Sequence, residues 1–386
     1  MWLINAKIWD GISDTLHPAD AIEVDHGKVV QLGSSTTAVG DVLDCSGLTL
    51  IPGLIDAHVH MCLDPDVKDP LSQDKPTDDE IKSQIAERAQ GMLLAGITTA
   101  RDLGGGKWLE LEVRDQINRG ELVGTRLFCS GQPVTSVNGH CHFWGGEADN
   151  LEAAVAVIDR QVAHDVDLIK IMATGGSLTA GSTPANSQFD VDEMTAMVKL
   201  AKSKGYTVAA HCHGTNGISN SATAGVTTIE HCSWVGEQGW ARDYDPHVVE
   251  TIVANGVWIS PTINAGWRRY IGSKSFEGLI AGNYQEMKKA GVKLIASTDA
   301  GIPGVYHQDL PKAIPVFAHF AGLTPVEALK SATSDCAEAI GLGDLVGRLS
   351  PGYSADIVAY ASNPLDDLEV LAAPVFVMSR GVRVSG

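Results

Sequence analysis

Between Pro52 and Asp299, short apolar runs alternate with longer stretches of helical periodicity, and this alternation limits the fold more than any other feature. Eight runs read as strands: Leu54–His60, Thr98–Leu103, Arg126–Val134, Leu168–Ala173, Thr207–His213, Thr227–Cys232, Val257–Ile263 and Lys293–Asp299. Strands separated by helices imply parallel βα units. The helical stretches carry their own end signals. "DDEIKSQIAERAQGMLLAG" opens on acidic residues and stops at Gly96, "VDEMTAMVKLAKSKG" closes on lysines and Gly205, and "DPHVVETIVANG" closes on Asn-Gly. Eight such units predict a (β/α)8 TIM barrel. The rival is an open doubly wound sheet, which calls for a Gly-rich phosphate loop after the first strand. That position holds histidines, and the later "RDLGGGK" lacks the G-x-G-x-x-G spacing and reads as a loop.

The flanks have a different texture. Residues 1–52 read as short strands, with "DHGK" marking a hairpin, and "LSPGYSADIVAYASNP" and "PVFVMSRGVRV" repeat the style at the other end. The expected organisation is a small β-sandwich domain built from both termini, residues 1–52 plus 345–386, around a barrel of residues 53–344.

Composition removes several function classes. With 386 residues, 44% hydrophobic and 19% charged, the chain suits one large domain and a smaller one. A net charge of −19 argues against nucleic acid or an anionic membrane as partner. No apolar run reaches the length of a membrane span, and "MWLINAKIWDG" does not read as a signal peptide. The seven cysteines are scattered, with no C-x-x-C pair, so they read as reduced thiols and suggest the cytoplasm. Cys141, Cys212 and Cys232, beside histidines, read as small apolar filler.

The first strand ends "PGLIDAHVHMCLD", which places His58 and His60 at i, i+2. On an extended strand both rings face the same side. Alone, the pair reads equally well as two polar residues at a strand end. The other strands alter that reading. Strand four carries Lys170 in an apolar run, strand five ends in His211 with His213 two further on, strand six in His231 and strand eight in Asp299. In a barrel of this type the site lies at the C-terminal ends of the strands. Imidazole and carboxylate suit zinc or a similar divalent ion, and the set exceeds what one catalytic zinc takes, so two ions are expected. A protonated Lys170 would repel them. Burial and nearby cations both lower a lysine pKa, and a neutral amine can take up carbon dioxide as a carbamate that bridges two metals.

With "PGLIDAHVH", "GITTARDLGG", "DLIKIMATGG", "VAAHCHG", "TIEHC", "ASTDAG" and "GRLSPGYSADIVAY", the chain resembles the amidohydrolase superfamily over nearly its whole length. The lysine on strand four resembles the binuclear branch of dipeptidases acting on Xaa-Pro, Xaa-Arg or N-acyl amino acids, related to imidazolonepropionase-like proteins. It counts against the mononuclear branches. The resemblance implies that His58, His60 and Asp299 hold one metal, that His211 and His231 hold the other, and that carboxylated Lys170 bridges them with a hydroxide. His211 and His213 exchange roles if strand five runs further than expected. "SVNGHCHFWGGEAD" matches a family loop in which His140 bonds the substrate carbonyl oxygen, with His142 as a further substrate contact, while His213, on strand five, either contacts substrate or stands behind the ligands.

The implied reaction is hydrolysis of an amide-type C–N bond in a small molecule, a dipeptide or N-acyl amino acid. Asp299 takes the proton of the hydroxide and passes it to the leaving nitrogen. Trp144, Trp234, Trp267 and Tyr306 are candidates to line the pocket, and Arg268 or Arg269 to pair with a substrate carboxylate. Homo-oligomeric assembly is expected. The competing readings are a hydrolase of a non-peptide amide, carbamate, urea or lactone, xenobiotics included, and a catalytically silent binding barrel.

Overall fold

The computed structural model describes residues 1–273 and 275–385. Seven of the expected runs form ladders: β1 (Leu54–Val59), β2 (Ile97–Asp102), β3 (Arg126–Cys129), β4 (Ile169–Met172), β5 (Val208–Gly214), β6 (Thr228–Val235) and β7 (Trp258–Ser260). Strands β1 to β3 pair in parallel in one sheet and β4 to β7 in another. Every residue of β1, β2, β4 and β5 is buried, as expected of parallel strands covered on both faces. Single parallel bridges, Val134 to Ile171, Ile259 to Leu294 and Val59 to Ala300, connect the segments beyond the ladders. The arrangement is of TIM-barrel type.

Four strands differ from expectation, and each difference has a local cause. β3 stops at Cys129 rather than Val134, because Gly131 takes φ 65° and Pro133 has no N–H for a ladder. β7 stops before Pro261, and Thr262 takes φ 55°. β6 continues to Val235 through left-handed residues at His231, Cys232 and Trp234. The run Lys293–Asp299 forms no ladder. Its backbone still bonds both neighbours, Ile295 N to Ile259 O at 2.9 Å and Asp299 N to His58 O at 2.9 Å. A left-handed Asp299, φ 62°, breaks the extended repeat at its end.

The helices begin and end where side-chain chemistry dictates. α1 (Asp78–Leu94) opens on a capping box between Thr77 and Glu80, with Asp78 and Asp79 in its first turn. α2 (Val191–Ser203) opens on the same device from Asp190 and Glu193 and carries Lys202 in its last turn. α3 (Phe276–Lys289) packs Ile280, Tyr284 and Met287 inward.

Strands from both ends of the chain form two further sheets. One orders Lys28–Gly33, Ala21–Asp25, Trp2–Ile4 and Val42–Asp44, and the other Val382–Ser385, Phe376–Ser379, Ile357–Tyr360, Thr49–Pro52 and Lys7–Ile8. Leu3, Ile22 and Val29 from the first share a core with Leu50, Ile357 and Met378 from the second. The "DHGK" turn has φ 44° at His26 and 77° at Gly27, the left-handed pair that a tight hairpin requires.

Candidate metal centre

The strand ends deliver polar side chains into one cavity of about 420 Å³. His58 and His60 come from β1, Lys170 from β4, His211 and His213 from β5, His231 from β6, and Asp299 from the segment after β7. Register places them level. Met172 is opposite His211, and Cys212 is opposite His231. The left-handed backbone at His231 and Asp299 lies at the cavity. Non-glycine residues in that region cost free energy and cluster where a site needs a particular side-chain direction.

Two trios form. His58 Nε2 lies 3.2 Å from Asp299 Oδ1, His60 Nε2 lies 3.4 Å from the same oxygen, and the two ring nitrogens are 3.3 Å apart. His211, His213 and His231 form the second trio, with ligand atoms within 4.8 Å of one another. The His58 and His231 rings, 5.2 Å apart, connect the two.

Outer hydrogen bonds decide which nitrogens carry lone pairs. His58 Nδ1 donates to Glu230 Oε2 at 3.0 Å, and His60 Nδ1 donates to Gly104 O at 3.0 Å. Thr262 gives its own hydroxyl proton to Pro261 O, so its oxygen accepts from His231 Nδ1 at 2.8 Å. These three rings therefore aim Nε2 lone pairs inward. His211 Nε2 donates to Gly175 O at 3.0 Å, leaving Nδ1 as its lone pair.

This donor set fits metal. Lone pairs and a carboxylate crowded together repel one another unless a cation lies between them. Ligands held roughly 2.0–2.1 Å from a tetrahedral zinc are about 3.4 Å apart, close to the spacings of the first trio. Electrostatics agree. Burial would raise the Asp299 carboxyl, but the His58 imidazole and its hydrogen bond hold it well below the usual range. Burial drives His231 and His211 well below the ordinary imidazole value, so both stay neutral and able to ligate. Lys170 is fully buried and its Nζ has no hydrogen-bond partner among the described atoms. Burial brings it down to about 8, which makes the neutral amine accessible near pH 7.

His140 reaches the same cavity from the loop after β3, its ring 4.5 Å from that of His211. Burial first, then His213, lowers it to about 3. Gly176 supplies the room, since a Cβ there would lie 2.4 Å from the His140 ring.

Three expected substrate contacts are placed elsewhere. Cys141 is left-handed at φ 55°, which turns the chain after His140, and neither His142 nor Trp144 lines the cavity. Trp144 packs behind His60 instead, at 5.3 Å. Tyr306 is 38% exposed and donates to Asp66 Oδ1 at 2.7 Å on the outer surface. Trp234 is core, with its indole N–H on Met287 Sδ. Arg268 pairs with Glu369, and Arg269 lies over Tyr270. The cavity wall carries Lys68, Trp240 and Trp267, of which only Trp267 was expected.

Sequence reasoning also missed Glu230 and Arg101. Both are buried, Arg101 Nη2 donates to Glu230 Oε1 at 2.8 Å, and Glu230 orients His58. Burial alone would raise Glu230, but the guanidinium and His58 hold it well below the usual range. The available signal was a charge inside each of two short strands, Arg101 beside Asp102 in "TTARDL" and Glu230 in "TIEHC".

Residues 49–385 match the model of the amidohydrolase family. The ochratoxinase of Aspergillus niger is 28% identical over 355 residues, covering 84% of this chain and 72% of that enzyme. The imidazolonepropionase of Fusobacterium nucleatum is 22% identical, over 88% and 84%. The solved structure of an Xaa-Pro dipeptidase with methionine bound in its active site superposes with a TM-score of 0.88 at 26% identity, covering 100% of this chain and 99% of that one. The chain belongs to the amidohydrolase family and is a hydrolase.

Proposed function

We propose that the chain hydrolyses an amide-type C–N bond in a dipeptide or N-acyl amino acid, with two divalent cations, zinc being the expected metal. The observation that carries this reading is the convergence of two ligand trios and an unpartnered buried lysine on one cavity. The Xaa-Pro dipeptidase and ochratoxinase relatives support hydrolysis of this kind. His58, His60 and Asp299 would hold one ion, and His211 and His231 the other. His213 would also be available to the second ion, because β5 runs on to Gly214 and His213 belongs to the same trio. Lys170 as a carbamate would supply the oxygen ligands between them. The same reading takes the barrel as eight strands over residues 53–344, with residues 1–52 and 345–386 as a β-sandwich domain, in a cytoplasmic homo-oligomer.

Such ions supply Lewis acidity and make hydroxide available at neutral pH. The chain's own groups do the rest. His140, kept neutral by burial, donates an N–H to the substrate carbonyl oxygen and stabilises the oxyanion that develops there. Asp299 directs Oδ1 at His58 and His60; Oδ2 is the atom assigned to take the proton of the attacking water and return it to the leaving nitrogen. Lys68 and Lys170 are the only lysine or arginine side chains in the cavity wall among the described residues. Lys68 is the candidate partner for a substrate carboxylate, in place of Arg268 and Arg269.

Metal analysis together with a substrate panel tests the reading. Purified protein should carry two equivalents of divalent metal and cleave Xaa-Pro, Xaa-Arg or N-acyl amino acids faster than aryl amides, carbamates, ureas or lactones. The reverse ranking would move the assignment to a non-peptide substrate. Metal-loaded protein that cleaves nothing in the panel would favour a binding barrel.

A further inference from the structure

The metal cavity does not end at its own wall. Behind Ser233, Trp240 and Trp267, which line both spaces, a smaller recess of about 70 Å³ opens between β6 and α3. Phe276, Ile280 and Tyr284 of α3 close its far side. Three of its polar groups are engaged internally. The Tyr284 hydroxyl donates to His231 O at 2.9 Å, the Asn283 amide donates to Ala241 O at 2.9 Å, and the Trp234 indole N–H points away to Met287 Sδ. What faces the recess is therefore mostly carbon, a surface suited to an apolar group.

One wall is held firmly. Trp267 is packed against Tyr270, Phe276 and Phe320, with ring centroids 6.2, 6.0 and 5.6 Å away. Trp240 rests edge-on against His213 at 4.8 Å, so the mouth of the recess adjoins the second histidine trio. Size then selects the occupant. A cavity of roughly 150 Å³ holds a benzene ring, and this one has about half that volume. A branched aliphatic group of three or four carbons fits it, and an indole does not.

We propose that this recess is a side-chain subsite, and that the substrate is an amide of an amino acid with a compact branched aliphatic side chain, leucine or valine in type. The inference rests on the amide-hydrolase reading above and adds the identity of the side chain. Trp240, Trp267, Phe276 and Ile280 are its specificity-determining residues.

The test uses metal-loaded enzyme and N-acetyl derivatives of alanine, valine, leucine, phenylalanine and tryptophan. kcat/KM should peak at valine or leucine, at least about 10-fold above alanine and tryptophan, the scale of one or more well-placed methylenes. Phe276→Ala, which enlarges the recess, should move the optimum to phenylalanine while metal content stays the same. Ile280→Ala should do likewise if the first variant folds poorly. A flat profile in the wild type, or one that neither variant moves, overturns the subsite and leaves amide hydrolysis standing. If no N-acetyl amino acid is cleaved, the N-acyl amino acid branch of the proposed function falls instead. Calorimetric binding of the same compounds then decides the recess by itself: leucine tighter than alanine and tryptophan supports it, and equal affinities overturn it.

Discussion

At the scale of single residues, the site depends on groups that are costly to bury and are retained. Lys170 is the clearest case, a fully buried amine with no partner among the described atoms. Lys170→Met should abolish turnover yet leave the thermal stability of the metal-free protein unchanged or higher, because an unmatched polar atom is replaced by apolar contact. A large fall in melting temperature in metal-free protein would show that the amine has a structural partner. Asp299→Asn should keep the fold and lower kcat by about 10²–10⁴, the range for a positioned proton-transfer group. Wild-type turnover in that variant would remove Asp299 from the chemistry. Glu230→Ala strands the Arg101 charge and releases His58. It should cost about 3–5 kcal/mol in stability and roughly 10–100-fold in metal affinity, read by denaturant melts and metal titration. His58, His60 and Lys170 were legible because polar residues stood out in apolar runs. Glu230 and Arg101 stood out equally, but their roles lie in a mutual contact across distant strands.

At the scale of elements, the loops after β3 and β4 meet where Gly176 makes room for His140. Gly176→Ala would bring a Cβ within 2.4 Å of the imidazole, so the ring must move. The expected outcome is a fall in kcat with metal content unchanged, since the three atoms nearest that Cβ all belong to His140. Loss of metal instead would place Gly176 in the support of the second trio. Helix boundaries were legible from local end signals, the acidic residues that open α1 and the Lys and Gly that close α2, and the structure adds capping boxes at Thr77 with Glu80 and Asp190 with Glu193. Strand ends were less so. β6 continues through left-handed residues, whereas β7 halts before a proline and the Lys293–Asp299 run breaks at a left-handed Asp299. Periodicity does not report a change of backbone region at one residue.

At the scale of the whole molecule, cations that bind only the folded chain should add to its stability by mass action. Removal of metal with a chelator should abolish activity and lower the melting temperature, and readdition of zinc should restore both. Unchanged melting after complete stripping would mean that the trios contribute nothing to the fold when loaded. By itself, the sequence determined that short buried strands alternate with capped helices, and that histidines, a lysine and an aspartate stand at or near the strand ends. These follow from local rules, 3.6- and 2-residue periodicity and the partners a backbone terminus needs. Only the tertiary structure decided that His140 faces the cavity while His142, Trp144 and Tyr306 do not, that Lys68 and Trp240 do, and that Glu230 holds His58. Which way a loop side chain points is set by contacts between residues far apart in the chain, and by single left-handed residues such as Cys141, and neither leaves a period in the sequence to read.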